Sequence, residues 1–102
     1  MLIYYYSIII YKMLNDYERL VEQSLQKYYA GSQLFKSTRK DKKFMIFSPQ
    51  FKWIHFGAKG YDDYYSSGKD EAKRKRFLTR NARWKNAPKY TPAHLAYYVL
   101  WN

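Results

Sequence analysis

The sequence lacks cysteine altogether, and it has few acidic residues: eight Asp and Glu against 19 Lys and Arg in 102 residues. Without cysteine the chain forms no disulfide, no thiolate zinc site and no cysteine nucleophile. The formal net charge is +11. A charge of that sign attracts polyanions and steers their approach, but it does not specify a fold. Nucleic acid is therefore the first partner to consider, before an anionic membrane or an acidic protein; a basic surface that only aids solubility remains the alternative.

Long apolar runs are also missing, since the longest, residues 1–13 (MLIYYYSIIIYKM), is shorter than the roughly 20 residues that span a bilayer. It lacks the basic start and the cleavage site of a signal peptide, so we do not expect secretion. Three interpretations stay open: an edge strand, a tail for oligomerisation or a membrane surface, or a leader upstream of a true start at Met13. We favour an apolar leader or disordered tail, with residues 14–102 as a single basic domain.

The rest of the chain is long enough for one hydrophobic core, and its pattern predicts an α+β fold. A first helix is expected from Asn15 to Ala30, because Asn15 and Glu18 have the spacing of a capping box. Two β-prone runs, 44–48 and 51–56, are separated by two residues and predict a hairpin. The expected architecture is a short antiparallel β-hairpin packed with about three helices.

Two further helices are predicted in the C-terminal half. The first begins near Asp70, whose carboxylate favours a helix N-terminus, and continues to about Lys85. The second covers residues 94–101, which are apolar nearly all round and therefore expected to be buried. Thr91 followed by Pro92 is a typical start for that helix.

A candidate nucleic-acid surface combines the first of these helices with the segments before and after the hairpin. Four cations of the helix recur at spacings that place them within one arc, the arrangement that a row of phosphates requires. A basic loop before the hairpin widens the patch, and tyrosines after the hairpin could stack on unpaired bases. The candidate residues are Lys40, Lys42, Lys43, Tyr61, Tyr64, Lys73, Arg76, Arg80 and Arg83. The alternative is a solvated helix face with the tyrosines in the core.

Motifs for reading bases or for catalysis are absent from the sequence. It contains no zinc-finger spacing, no RNP-type strand and no phosphate-binding glycine loop, so contact independent of base sequence is expected. His55, Asp62 and Asp63 could in principle hold a divalent metal for phosphodiester cleavage. Adjacent carboxylates usually point in different directions, however, and a positioned catalytic set is not visible. We expect no enzyme activity, no cofactor, no metal and no small-molecule substrate.

One ordered set of short motifs begins at His55. It comprises His55-Phe56-Gly57, Gly60-Tyr61, Asp63-Tyr64, Lys69-Asp70, Arg74-Lys75-Arg76 with Leu78 and Arg80, and the closing Leu100-Trp101-Asn102. In this order the motifs resemble a family of small uncharacterised proteins of giant nucleocytoplasmic large DNA viruses and some large phages. The resemblance implies a viral origin, and it brings no established catalytic residues.

Together these expectations describe a non-catalytic, largely sequence-independent nucleic-acid-binding protein of a large DNA virus, with DNA favoured over RNA. The resemblance implies a location in the virion, the host cytoplasm or the viral factory. The alternative is a minor structural virion protein that contacts capsid, membrane or packaged genome. Virion proteins are then the second class of partner, and a membrane partner is not expected.

Overall fold

The computed structural model of the protein describes residues 13–102, so the predicted leader lies outside the described residues except for Met13. The elements are α1 (Asp16–Tyr28), β1 (Phe35–Lys36), β2 (Lys42–Phe47), β3 (Trp53–Ala58), α2 (Glu71–Arg80), a 3₁₀ helix (Ala82–Asn86), and α3 (Pro92–Leu95) continued by a π-helical segment (Ala96–Trp101). The predicted α+β class is confirmed. No helix within residues 13–102 combines the length and the apolar character that crossing a membrane requires.

Helix α1 begins where its capping residues predict. The backbone N–H of Glu18 donates to Asn15 Oδ1 at 2.7 Å, and the Asn15 N–H donates to Glu18 Oε1 at 3.0 Å. These reciprocal bonds satisfy donors that a helix start otherwise leaves unpaired. The buried face of the helix carries Val21 and Leu25, and Ser24 Oγ donates to the carbonyl of Val99 at 2.6 Å. Helix α1 is therefore held against the C-terminal helix by apolar packing and by this bond.

The three strands form one antiparallel sheet in the order β1-β2-β3. Phe44 faces Phe56 across β2 and β3, and both side chains are buried in the core. The partly exposed pair Phe47 and Trp53 closes the β2–β3 hairpin at its other end. The hairpin is confirmed, although its strands are residues 42–47 and 53–58 rather than the predicted 44–48 and 51–56. Strand β1 lies in the segment before the hairpin, where the sequence predicts a basic loop. A strand of two residues is too short to show an alternating pattern, so only its pairing with β2 defines it.

The C-terminal helix is buried, as predicted. Thr91 Oγ1 accepts a hydrogen bond from the His94 N–H at 3.2 Å, and Pro92 occupies the first turn. A proline costs nothing there because the first backbone N–H groups have no partner within the helix. Leu95 and Val99 are fully buried between α1 and the inner face of the sheet. This helix therefore forms the centre of the core.

Helix α2 is shorter than predicted. It begins as expected, with Asp70 Oδ1 accepting from the Lys73 N–H at 3.1 Å, but it ends at Arg80 rather than near Lys85. Asn81 donates both its backbone N–H and its side-chain Nδ2 to the carbonyl of Phe77, each at 3.0 Å. Short polar side chains compete in this way with helix propagation. The chain then continues as the 3₁₀ helix.

Candidate nucleic-acid interface

An open cleft of about 840 Å³ lies between α2, the C-terminal helix and the end of the hairpin where β2 begins and β3 ends. We call it the basic cleft. Six of the nine predicted binding residues line it: Lys42, Lys43, Tyr61, Lys73, Arg76 and Arg80. The fold therefore gathers cations from β2 and α2, which are far apart in sequence, onto one concave surface.

The floor of the basic cleft is aromatic. The ring of Phe77 stacks on that of Trp101, with centroids 4.7 Å apart and planes inclined by 12°. Trp84 contacts Phe77 edge to face, with the two ring centroids 5.9 Å apart. Trp101 is buried, whereas Phe77 and Trp84 are partly exposed. Neither Phe77 nor Trp84 is among the residues predicted to bind nucleic acid, although both line the cleft.

The cations of the cleft are not equally available. Lys73 Nζ lies 2.8 Å from Asp62 Oδ2, and Lys43 Nζ lies 3.0 Å from a carboxylate oxygen of Asp63. Lys42, Arg76 and Arg80 make no ion pair with a carboxylate in the part of the chain that the structure describes. These last three side chains carry the charge that is available to an anionic ligand.

The ion pair between Lys73 and Asp62 lies at the rim of the cleft. The hydrogen bond from Lys73 lowers the pKa of Asp62, and the same bond raises the pKa of Lys73. Both side chains remain in contact with water, being 42% and 49% exposed, and salt screens such a pair. A phosphate can therefore compete with Asp62 for Lys73.

Asp63 has a different environment, because its side chain is only 1% exposed. Its carboxylate accepts hydrogen bonds from four donors: the Tyr17 hydroxyl, Lys43 Nζ, and the backbone N–H groups of Tyr65 and Ser66. Burial raises the pKa of Tyr17, and the bond to Asp63 raises it further. A buried carboxylate with this many donors is held in place by them. Asp63 thus fixes the turn after β3, which also carries Tyr61 and Asp62.

Three predicted residues do not line the basic cleft. Lys40 lies exposed in the turn between β1 and β2. The Tyr64 hydroxyl donates to Glu71 Oε2 at 2.9 Å, and its side chain lines a smaller depression elsewhere. Arg83 follows the end of α2. Because a 3₁₀ helix turns by about 120° per residue rather than about 100°, the helical spacing that placed Arg83 beside Arg80 no longer applies.

The residues considered for a metal site lie in three separate environments. His55 Nδ1 is 2.8 Å from Ser37 Oγ, Asp62 pairs with Lys73, and the oxygens of Asp63 are occupied as described. Within residues 13–102, no group of three or more His, Asp or Glu side chains is placed to hold a metal ion.

The opposite end of the hairpin carries a second aromatic group, which we call the outer aromatic surface: Phe35, Phe47, Phe51 and Trp53. Ring centroids lie 5.0 Å apart for Phe47 and Trp53, 5.5 Å for Phe35 and Trp53, and 6.2 Å for Phe47 and Phe51. Phe51 is 83% exposed, and its φ of 60° is unusual for a residue with a side chain. The rings of the three strand residues lie on the face of the sheet opposite the buried Phe44, and Phe51 lies in the turn between β2 and β3.

Comparison with known proteins gives one match. A model described as a family of unknown function, DUF5754, matches residues 32–81. The matched segment covers the three strands, the turn after β3 and all of α2, and it therefore includes every cation that lines the basic cleft. No curated protein and no solved structure matches the chain. The similarity is thus to an uncharacterised family, as expected, while the viral origin stays a prediction.

Proposed function

We propose that this chain is a non-catalytic nucleic-acid-binding protein that contacts its ligand largely independently of base sequence through the basic cleft. The observation that carries the proposal is the convergence of Lys42 from β2 with Arg76 and Arg80 from α2 on one open surface. Each phosphate that they neutralise releases condensed counterions, which favours binding. The viral setting implied by the sequence resemblance is part of the proposal.

The side chains of the cleft support weak sequence preference. Bases are commonly read by Asn and Gln, which pair with adenine, in addition to Arg, which pairs with guanine. In residues 13–102 no Asn or Gln side chain lines the basic cleft. The cations there are long and partly exposed, so they suit phosphates, which carry no sequence information.

A salt titration with mixed-sequence oligonucleotides tests the proposal. Three phosphate contacts predict that log K falls with log salt with a slope of about −3 on duplex DNA and about −2 on single strands. A triple variant carries Lys42→Ala, Arg76→Ala and Arg80→Ala. We expect it to lose most of the salt dependence and to bind at least tenfold more weakly at low salt. Fluorescence anisotropy with labelled DNA and RNA measures both quantities.

The matched control replaces three other exposed lysines: Lys27→Ala, Lys52→Ala and Lys75→Ala. None of them lines the basic cleft, and the change in net charge is the same. The control should keep the slope and lose little affinity. Equal losses in the two variants, or an affinity that does not change with salt, would contradict the proposal, because the charge would then act without a defined site.

A structural role in a virion is the second candidate, and the outer aromatic surface favours it. Exposed apolar groups of this kind mark sites of contact with other proteins, and the Phe51 side chain is 83% exposed. Replacing Phe51 and Trp53 with serine should then prevent co-purification with capsid proteins after nuclease treatment. Co-purification that depends instead on Lys42, Arg76 and Arg80 would support the nucleic-acid proposal.

A further inference from the structure

The basic cleft places aromatic rings beside its cations, and this combination narrows the class of ligand. We propose that the cleft binds single-stranded nucleic acid by taking one unpaired base between Tyr61 and Trp84. The flanking phosphates then contact Lys42, Arg76 and Arg80. The inference rests on the proposed function and deepens it, because cations alone would serve a duplex equally well.

The size and shape of the cleft support an unpaired nucleotide. Its volume of about 840 Å³ falls within the roughly 300–1,000 Å³ that is usual for sites holding a small organic ligand. A base and its sugar fit such a space. A duplex keeps its bases stacked inside a convex rod, so it could offer a base to the cleft only after unpairing and flipping it, which costs free energy.

Trp84 provides a rigid platform for that base. Its ring contacts Phe77, which in turn stacks on the buried ring of Trp101. The backbone N–H of Trp84 also donates to the carbonyl of Asn81 at 2.8 Å, which fixes the chain just after α2. A ring that is already held in place loses little conformational freedom when a base stacks on it.

Tyr61 provides the second ring. It lines the cleft, yet its side chain is 75% exposed. Its backbone is fixed by the turn that Asp63 organises, and its N–H donates to the carbonyl of Ala58 at 3.3 Å. Tyr61 is therefore anchored by its backbone while its ring remains accessible to a ligand.

The test compares a mixed-sequence single strand of DNA with its own duplex at the same salt concentration. We expect the single strand to bind at least tenfold more tightly. Tyr61→Ala should weaken single-strand binding about tenfold and leave the salt slope unchanged, because a stacking contact is lost and no phosphate contact is. Phe51→Ala is the matched control, since it removes an exposed ring at the other end of the hairpin.

Tryptophan fluorescence provides a second readout. Quenching on single-strand binding should persist in Trp53→Leu and be largely lost in Trp84→Leu, and circular dichroism tests whether each variant folds. Tyr61 is so exposed that its replacement leaves the core intact, so the inference stays testable even if Trp84→Leu does not fold.

Duplex binding as tight as single-strand binding, or an unchanged affinity of Tyr61→Ala, overturns the inference and leaves the proposed function standing. Binding of neither ligand at low salt overturns both.

Discussion

Aromatic rings lie near both ends of the β2–β3 hairpin, but the two ends differ in charge and in shape. At the end near the C-terminal helix, Tyr61 and Trp84 line a concave surface together with the cations of β2 and α2. At the other end, Phe47 and Trp53 lie on the outer face of the sheet beside Phe51 of the connecting turn, and Lys52 is the cation adjacent in sequence. Rings beside several cations suit stacked bases and phosphates, whereas rings on an open sheet face suit an apolar partner. Exposed aromatic residues therefore indicate different ligands according to the charge around them.

The largest expected effect is a loss of folding stability in Asp63→Ala. Asp63 lies at the end of the hairpin next to the basic cleft, which we call the basic end. The change leaves Lys43 and two backbone N–H groups without their partner in a buried site, and breaking a buried ion pair costs about 3–5 kcal/mol. Urea denaturation should show that the free energy of unfolding falls by about this amount. Asp62→Ala, at the exposed neighbouring carboxylate, is the control and should change stability little. Similar stability of the two variants would mean that Asp63 does not hold the turn at the basic end.

A smaller loss of stability is expected from Gly57→Ala, also at the basic end. Gly57 has a φ of +81°, and a Cβ added there would meet Leu100 Cδ1 at 3.2 Å. Strained backbone and close contact together should cost about 1–2 kcal/mol. Gly60→Ala tests the contribution of contact, because Gly60 has a φ of +88° but nothing within 4 Å of the added carbon. Thermal unfolding should give Gly57→Ala a lower melting temperature than Gly60→Ala. The reverse order would contradict the close packing of β3 on the C-terminal helix.

The smallest expected effect is a gain in affinity for nucleic acid in Asp62→Asn. The change releases Lys73 from its ion pair, so affinity for nucleic acid should rise severalfold and the salt slope should steepen by about one unit. Because Lys73 lowers the pKa of Asp62, the wild-type protein should release Lys73 by protonation of Asp62 only below that carboxyl's ordinary value of 3.8. Anisotropy titrations at neutral pH measure the gain. An affinity that falls would show that Asp62 contacts the ligand favourably instead of competing with it.

Local signals predicted most of the architecture. The start of α1 depends on two residues three positions apart, and the start of the C-terminal helix depends on Thr91 and Pro92, so each can be found in a few letters of sequence. The sequence also predicts the row of cations on α2, because helical spacing alone places Lys73, Arg76 and Arg80 on one face. The same spacing does not hold for Arg83, because Asn81 bonds to the Phe77 carbonyl and the chain continues as a 3₁₀ helix.

Long-range contacts could not be predicted in the same way. The hydrogen bond between Tyr17 and Asp63 joins residues 46 positions apart, and it gives Asp63 a structural role that its sequence neighbours do not suggest. Trp84 lines the basic cleft because its ring lies against Phe77, next to the end of the hairpin. Neither fact has a signal within one turn of helix or one strand.

The sequence by itself determined the charge, the α+β class, the helix starts and the row of cations on α2, because these follow from composition and from residue spacing within single elements. The tertiary structure decided which cations share a surface with aromatic rings and which are held by carboxylates. It did so because cleft walls and ion pairs form between elements that are distant in the chain, where only the packing of the core sets their separation.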